Sequence, residues 1–160
     1  MIVNRQRNVR FARKPLETFL VRAQKELGVQ GFGVTVCFVS DDEIAGMNER
    51  FRGKAGPTDV LSFPAANKQR VLAGGRKETY TETAKKGQKK TKPAETYLGD
   101  IAIAPETARR YAKKSRRSLN DELRVLILHG VLHLMGYDHE TDQGEMNRIE
   151  RKMRRRFGLA

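Results

Sequence analysis

The chain has 160 residues, one cysteine and a formal net charge of +13 at pH 7, which predicts one domain without an intrachain disulfide. No apolar run approaches the roughly 20 residues of a membrane span and the basic start lacks the apolar segment of a secretory signal, so we expect a cytoplasmic protein without a membrane partner. The excess of lysine and arginine favours nucleic acid as a partner, with a merely solubilising surface as the alternative.

Local patterns predict two strand–helix pairs at the start of the chain. A short strand at residues 2–4 precedes apolar residues at helical spacing over 15–27, and Gly28 is expected to end this helix. Alternating apolar residues predict a strand over 32–38. The segment Ser40–Glu43 matches a capping box, which begins a short helix. Helical spacing turns three residues of that helix inward: Ile44, Met47 and Phe51.

A basic segment interrupts the predicted elements at residues 66–97. Between Ala65 and Thr96 there are nine lysines and arginines against three glutamates, with few large apolar residues. Such a composition buries too little apolar surface to order itself. We therefore expect a flexible basic insertion, which could include a hairpin with frayed ends. It would be either an inert solvated loop or a segment that grips RNA.

The rest of the chain predicts further strands and three more helices. Strands are expected at 60–63 and 98–104, and helices at 105–116, 118–135 and 142–157. Ser118 is the expected N-cap of the middle helix and Gly136 follows its last turn. Helices and strands interleave without regular βα alternation, so we predict a single α+β domain in which one mixed sheet of four to five strands packs with about five helices.

All three histidines of the chain lie within eleven residues, at positions 129, 133 and 139. His129 and His133 are four residues apart and share one face of the predicted helix. Gly136 permits a sharp turn that brings His139 back towards them. Three imidazoles with an open fourth position are typical of catalytic zinc, so we predict one Zn²⁺ per chain. Nickel or copper would bind the same nitrogens, and two core histidines with one surface histidine are the alternative without metal.

The histidine spacing H-x3-H-x2-G-x2-H coincides with the ligands of metzincin peptidases, H-E-x-x-H-x-x-G-x-x-H. The glutamate that serves those enzymes as general base is Gly130 here. A peptidase without that base has no group to activate the attacking water. The ligand pattern therefore favours a different zinc-assisted hydrolysis.

Three sequence blocks together resemble the YbeY family of rRNA maturation endoribonucleases. They are FRGKAGPTDVLSFP at 51–64, LGDIAIAPE at 98–106 and HGVLHLMGYDHE at 129–140, and their order and rough spacing also match. The resemblance implies a single-strand-specific, metal-dependent endoribonuclease that acts in 3′-end maturation of 16S rRNA and in ribosome quality control. It implies single-stranded RNA, ribosomal RNA or the small ribosomal subunit as partners, and no DNA.

The same resemblance assigns roles to individual residues. The family's zinc ligands correspond to His129, His133 and His139, and its functionally important arginine corresponds to Arg52. A planar guanidinium can contact two phosphoryl oxygens at once, so Arg52 is the candidate catalytic and substrate-binding residue. Lys54 is a weaker substrate-binding candidate.

No general base is evident from the sequence. The attacking oxygen would come either from water activated by the metal or from the RNA 2′-OH. Asp138 and Glu140 flank His139 and are equally consistent with partners of a histidine or with solvated carboxylates. For Asp59 and Asp100 we favour structural roles. The alternatives to a nuclease are a zinc hydrolase such as a peptidase, and a ribosome-binding assembly factor whose metal is structural.

Overall fold

A computed structural model describes the chain at residues 1–65, 70–71, 77–78 and 97–159. The described strands are β1 (Ile2–Asn4), β2 (Gly33–Phe38), β3 (Val60–Pro64), β4 (Arg70–Val71), β5 (Lys77–Glu78) and β6 (Tyr97–Ile103). The described helices are α1 (Arg13–Glu26), α2 (Asp41–Arg52), α3 (Pro105–Lys114), α4 (Leu119–Leu134) and α5 (Glu145–Arg156). None of these helices is long and apolar enough to cross a membrane.

Four strands form one mixed sheet in the order β1-β2-β6-β3. The first three are parallel neighbours, whereas β3 pairs antiparallel with β6 and lies at the edge. Gly99 on β6 has φ +140°, and a side chain there would collide with the carbonyl of Phe63 on β3. Glycine therefore permits the close pairing of these two strands. The mixed sheet and five helices confirm the predicted α+β class.

The two faces of the sheet bury different apolar clusters. Inward residues of β2 and β6, such as Val36 and Ile101, pack with α1 and α4 in the larger core. Alternate residues point to the other face, where Leu61 and Ala102 join Ile44 of α2 in a smaller cluster. The helix α4 is buried along most of its length and contacts both β3 and β6. It therefore extends from the larger core to the edge strand β3.

Gly130 sets how closely α4 approaches the sheet. A Cβ built at this position would lie 2.7 Å from Cδ1 and 2.8 Å from Cγ2 of Ile101, which is closer than real Cβ contacts. Any side chain at this position points into β6. Packing against Ile101 thus leaves no room for a glutamate at position 130, the residue that serves metzincin peptidases as general base.

Two sequence-based expectations about helices were wrong in detail. Phe51 was predicted to face inward, yet it is 61% exposed. The buried positions of α2 are Ile44 and Asn48, one turn apart, and Phe51 lies beyond them in the last turn. The last helix begins at Glu145 rather than near Asp142, because the Asp142 carboxylate accepts hydrogen bonds from the Gly144 and Met146 N–H groups and caps the helix from outside.

Within the predicted basic insertion, the structure describes one short antiparallel pair, in which β4 pairs with β5. The remainder of the segment, residues 66–69, 72–76 and 79–96, lies outside the described residues. The flexibility predicted for it stays a prediction.

Candidate metal centre

The helix α4 carries two of the three histidines and is fixed at its start by a local cap. The Ser118 hydroxyl accepts a hydrogen bond of 3.0 Å from the Asp121 N–H, as the sequence predicts. Sixteen residues follow in regular helix, which places His129 and His133 one turn apart. Their Nε2 atoms are 3.1 Å apart, so both side chains are directed at the same point.

A glycine turn brings the third histidine to that point. Gly136 has φ +97°, its N–H donates to the His133 carbonyl, and the Tyr137 N–H donates to the Leu132 carbonyl. These two bonds form a Schellman motif, which ends the helix and reverses the chain. Tyr137 is buried in the main core and anchors the turn. The loop then presents His139 to the other two imidazoles, as predicted.

One ligand nitrogen from each of the three imidazoles lies within 4.8 Å of the others. In tetrahedral zinc sites, Zn–N bonds of about 2.0–2.1 Å place neighbouring nitrogens roughly 3.4 Å apart. The separation of 3.1 Å between His129 and His133 already fits this geometry, and His139, which is exposed, needs only a small movement. Three imidazole nitrogens with one open side suit Zn²⁺ or a similar divalent transition metal.

Glu150 of α5 contacts one of the three histidines. Its Oε2 lies 2.9 Å from Nδ1 of His129, an arrangement in which Nδ1 donates and Nε2 keeps its lone pair for a metal. Burial acts to raise the pKa of Glu150, but the hydrogen bond with His129, together with the charge of Arg154, lowers it overall. The carboxylate is therefore ionised at neutral pH, as a ligand-orienting partner must be.

The environment of His133 favours its neutral form. Burial lowers its pKa, and the neighbouring His129 and His139 lower it further, whereas Asp138 and a backbone hydrogen bond to Tyr137 act in the opposite direction. A neutral imidazole is the form that coordinates a metal. The shift thus reduces competition by protons for this ligand.

The histidines open onto a cleft of about 660 Å³ between the edge strand and the loop after α4. Arg52, the last residue of α2, lines this cleft, and its Nη2 lies 3.9 Å from Oε1 of Glu140. Lys54 is exposed in the loop that follows α2 and is absent from the cleft wall. Of the two predicted substrate contacts, the structure brings only Arg52 to the histidines.

The other acidic candidates occupy varied places. Asp59 lines the cleft, where Oδ1 accepts a hydrogen bond from the Thr58 hydroxyl. Asp100 is exposed and accepts a hydrogen bond of 2.6 Å from the Tyr97 hydroxyl. Asp138 accepts a hydrogen bond from the Glu140 N–H and so shapes the loop that holds His139.

Sequence reasoning missed Glu150, although a signal was available. Met146 and Met153 are buried and Ile149 packs against the core, so α5 has an apolar stripe. Glu150 lies on that stripe, four residues after Met146, and its side chain is only 14% exposed. A carboxylate on the buried face of a helix needs a cationic or hydrogen-bonding partner, and the chain offers a histidine cluster for that role.

Comparisons with known proteins identify the family of this chain. The sequence model of the family described as "Endoribonuclease YbeY" matches residues 1–158. A Koribacter versatilis protein named Endoribonuclease YbeY is 40% identical over 159 residues, covering 99% of this chain and 86% of that protein. A Maricaulis maris protein of the same name is 38% identical, covering 91% and 77%. The solution structure of a Thermotoga maritima protein superposes with a TM-score of 0.55 and 26% identity, covering 95% of this chain and 85% of that protein.

Proposed function

Since the chain belongs to the YbeY endoribonuclease family, it is an RNA endonuclease, and we propose that it is specific for single-stranded RNA and depends on one Zn²⁺ per chain. We propose further that it acts in 3′-end maturation of 16S rRNA and in ribosome quality control, in the cytoplasm, with ribosomal RNA or the small ribosomal subunit as partner. The observation that carries the proposal is the meeting of three imidazoles at a cleft that Arg52 also lines.

His129, His133 and His139 would hold the metal, which supplies polarisation of a phosphoryl oxygen and a lowered pKa of water. Glu150 fixes the orientation of the His129 ring through Nδ1. The guanidinium of Arg52 stabilises the negative charge that builds on the phosphoryl oxygens in the transition state. Its present partner, Glu140, is 64% exposed and 3.9 Å away. Such a pair contributes little, so a substrate phosphate can replace it. Lys54, outside the cleft wall, contributes to binding alone.

Peptide hydrolysis has less support at this site. A side chain at position 130 would point into Ile101 of the sheet, so the base that metzincins use has no counterpart. The net charge of +13 also favours a phosphate backbone over a polypeptide. DNA lacks the 2′-OH that an RNA enzyme can use for discrimination, and we expect no cleavage of it.

The first test compares a labelled single-stranded RNA with the same RNA in a duplex, with and without a chelator. We expect cleavage of the single strand alone, its loss on chelation and its return on addition of Zn²⁺. Equal cleavage of the duplex would contradict single-strand specificity, and full activity in chelator would contradict the metal requirement. Cleavage of casein without cleavage of RNA would assign the site to a peptidase instead.

The second test replaces Arg52 with alanine. We expect turnover of single-stranded RNA to fall about a hundredfold, the typical effect of removing a group that stabilises transition-state charge, with fold and metal content retained. Arg50→Ala is the matched control, because Arg50 is exposed on the same helix but absent from the cleft wall. Unchanged turnover in Arg52→Ala would remove Arg52 from the mechanism.

A further inference from the structure

Phe51 is a large apolar side chain exposed at the rim of the metal cleft. Among the described residues, the large apolar side chains with high exposure are Met1, Val21, Phe51, Tyr97 and Tyr111. Of these, Phe51 alone is part of the cleft wall. It is 61% exposed, so the folded chain leaves most of an aromatic ring in water at its functional site. Single exposed apolar residues are common on protein surfaces. What distinguishes this ring is its position, because it lines the same cleft as Arg52 and the three histidines.

The Phe51 ring is held in place. Its centroid lies 5.1 Å from that of Phe63 on β3, with the ring planes at 72°, an edge-to-face arrangement that aromatic pairs favour. Phe63 is itself packed against the smaller apolar cluster of the sheet. Phe51 is thus fixed on one side by the fold and free on the other.

The backbone around Phe51 is also fixed. The helix α2 ends at Arg52, and Gly53 closes it with φ +63°. The loop that follows is tied back to the helix by Asn48, a buried residue whose Nδ2 donates 3.0 Å to the Gly56 carbonyl. Phe51 and Arg52 are therefore consecutive residues at a rigid helix end, and both line the same cleft.

We propose that Phe51 is the stacking platform for an unpaired nucleobase adjacent to the phosphate that Arg52 contacts, and that it thereby determines specificity for single-stranded RNA. This inference rests on the function proposed above. Single-stranded RNA is recognised largely by stacking of splayed bases on aromatic side chains. Bases within a duplex are stacked on one another and cannot present a free face, so the same ring discriminates against paired RNA.

The chain contains no tryptophan, which permits a direct test of stacking. Phe51→Trp introduces the sole tryptophan at the proposed platform, where it can be excited selectively over the four tyrosines. Val21→Trp introduces one at a position that is 66% exposed and absent from the cleft wall. With chelator present to prevent cleavage, we expect an eight-nucleotide single-stranded RNA to quench Phe51→Trp and not Val21→Trp. A duplex, or a single strand abasic throughout, should leave both unquenched. Binding of the single strand, seen by anisotropy, without quenching of Phe51→Trp would overturn the proposal.

A second measurement separates aromatic stacking from apolar bulk. We expect Phe51→Leu to bind the single-stranded RNA roughly tenfold more weakly, Phe51→Tyr to bind as the wild type does, and both variants to bind the abasic strand equally well. Wild-type affinity in Phe51→Leu would overturn the stacking role while leaving the nuclease assignment intact. A wild-type chain that neither binds nor cleaves RNA would overturn both.

Discussion

Glu150 connects the packing of α5 to the chemistry of the histidine cluster. Its Oε2 contacts His129, and its Oε1 lies 3.6 Å from Nη1 of Arg154. The carboxylate is largely buried, so its charge acts on His129 with little screening from water. Carboxylates in this position fix the tautomer of a metal-ligating histidine and raise its basicity as a ligand.

We expect Glu150→Gln to weaken Zn²⁺ binding by roughly ten- to a hundredfold, the usual effect of changing a partner of a metal-ligating histidine. The amide still fits the space, but it lacks the charge that favours Nδ1–H on His129. Competition with a chromophoric chelator at neutral pH measures the affinity. Glu145→Gln, a half-buried position in the first turn of the same helix, serves as the control. Equal affinity in the wild type and Glu150→Gln would show that His129 needs no such partner.

The helix α4 joins the core to the histidine cluster. Its packing depends on the absence of a side chain at Gly130, where the helix rests on Ile101. Helix propensity and packing make opposite predictions for this position. Alanine in place of glycine favours a helix by about 1 kcal/mol, whereas a methyl group forced against Ile101 costs about 1–3 kcal/mol.

We expect packing to win, so that Gly130→Ala lowers the free energy of unfolding by about 1 kcal/mol, the middle of the roughly 0–2 kcal/mol that remains after the propensity gain. Ile101→Ala in the same chain removes the atoms that the new methyl group meets, so the two substitutions together should destabilise less than their separate effects predict. Urea unfolding of both single variants and the double variant measures this coupling. A gain of stability in Gly130→Ala would show that the helix can withdraw from the sheet.

Elements with local signals were predictable from the sequence, and those set by distant contacts were not. Ser118 and Gly136 act on their own helix through adjacent backbone groups, so spacing alone placed the ends of α4 and the three histidines. The partnership of Glu150 with His129 joins residues of two helices that are 21 positions apart in the sequence. The exposure of Phe51 depends on where α2 meets β3. The apolar stripe of α5 marks Glu150 as a buried carboxylate but does not identify its partner, and no local pattern predicts the exposure of Phe51.

For the whole molecule, charge is the property most relevant to substrate binding. The net charge of +13 is distributed over many exposed lysines and arginines, and most of these have no role in the metal centre. Such a surface attracts any phosphate backbone by releasing its counterions. Specific recognition then falls to the cleft.

Binding of single-stranded RNA should therefore weaken steeply with salt. If about three phosphates are neutralised, the affinity falls roughly tenfold or more between 50 and 200 mM salt, since each contributes about 0.7 to the logarithmic slope. Fluorescence anisotropy with the metal chelated measures this slope. An oligomer with an uncharged backbone is the control and should show almost no slope. A salt-independent affinity for RNA would contradict the electrostatic account.

The central claim is that His129, His133 and His139 hold one metal ion on which RNA cleavage depends. The most direct measurement determines metal content by mass spectrometry and cleavage of a single-stranded RNA on the same preparations of the wild type and of the three single histidine-to-alanine variants. We expect about one metal per wild-type chain, and a parallel loss of metal and cleavage in each variant that retains its fold. A folded variant that has lost the metal and still cleaves RNA at the wild-type rate would contradict the claim.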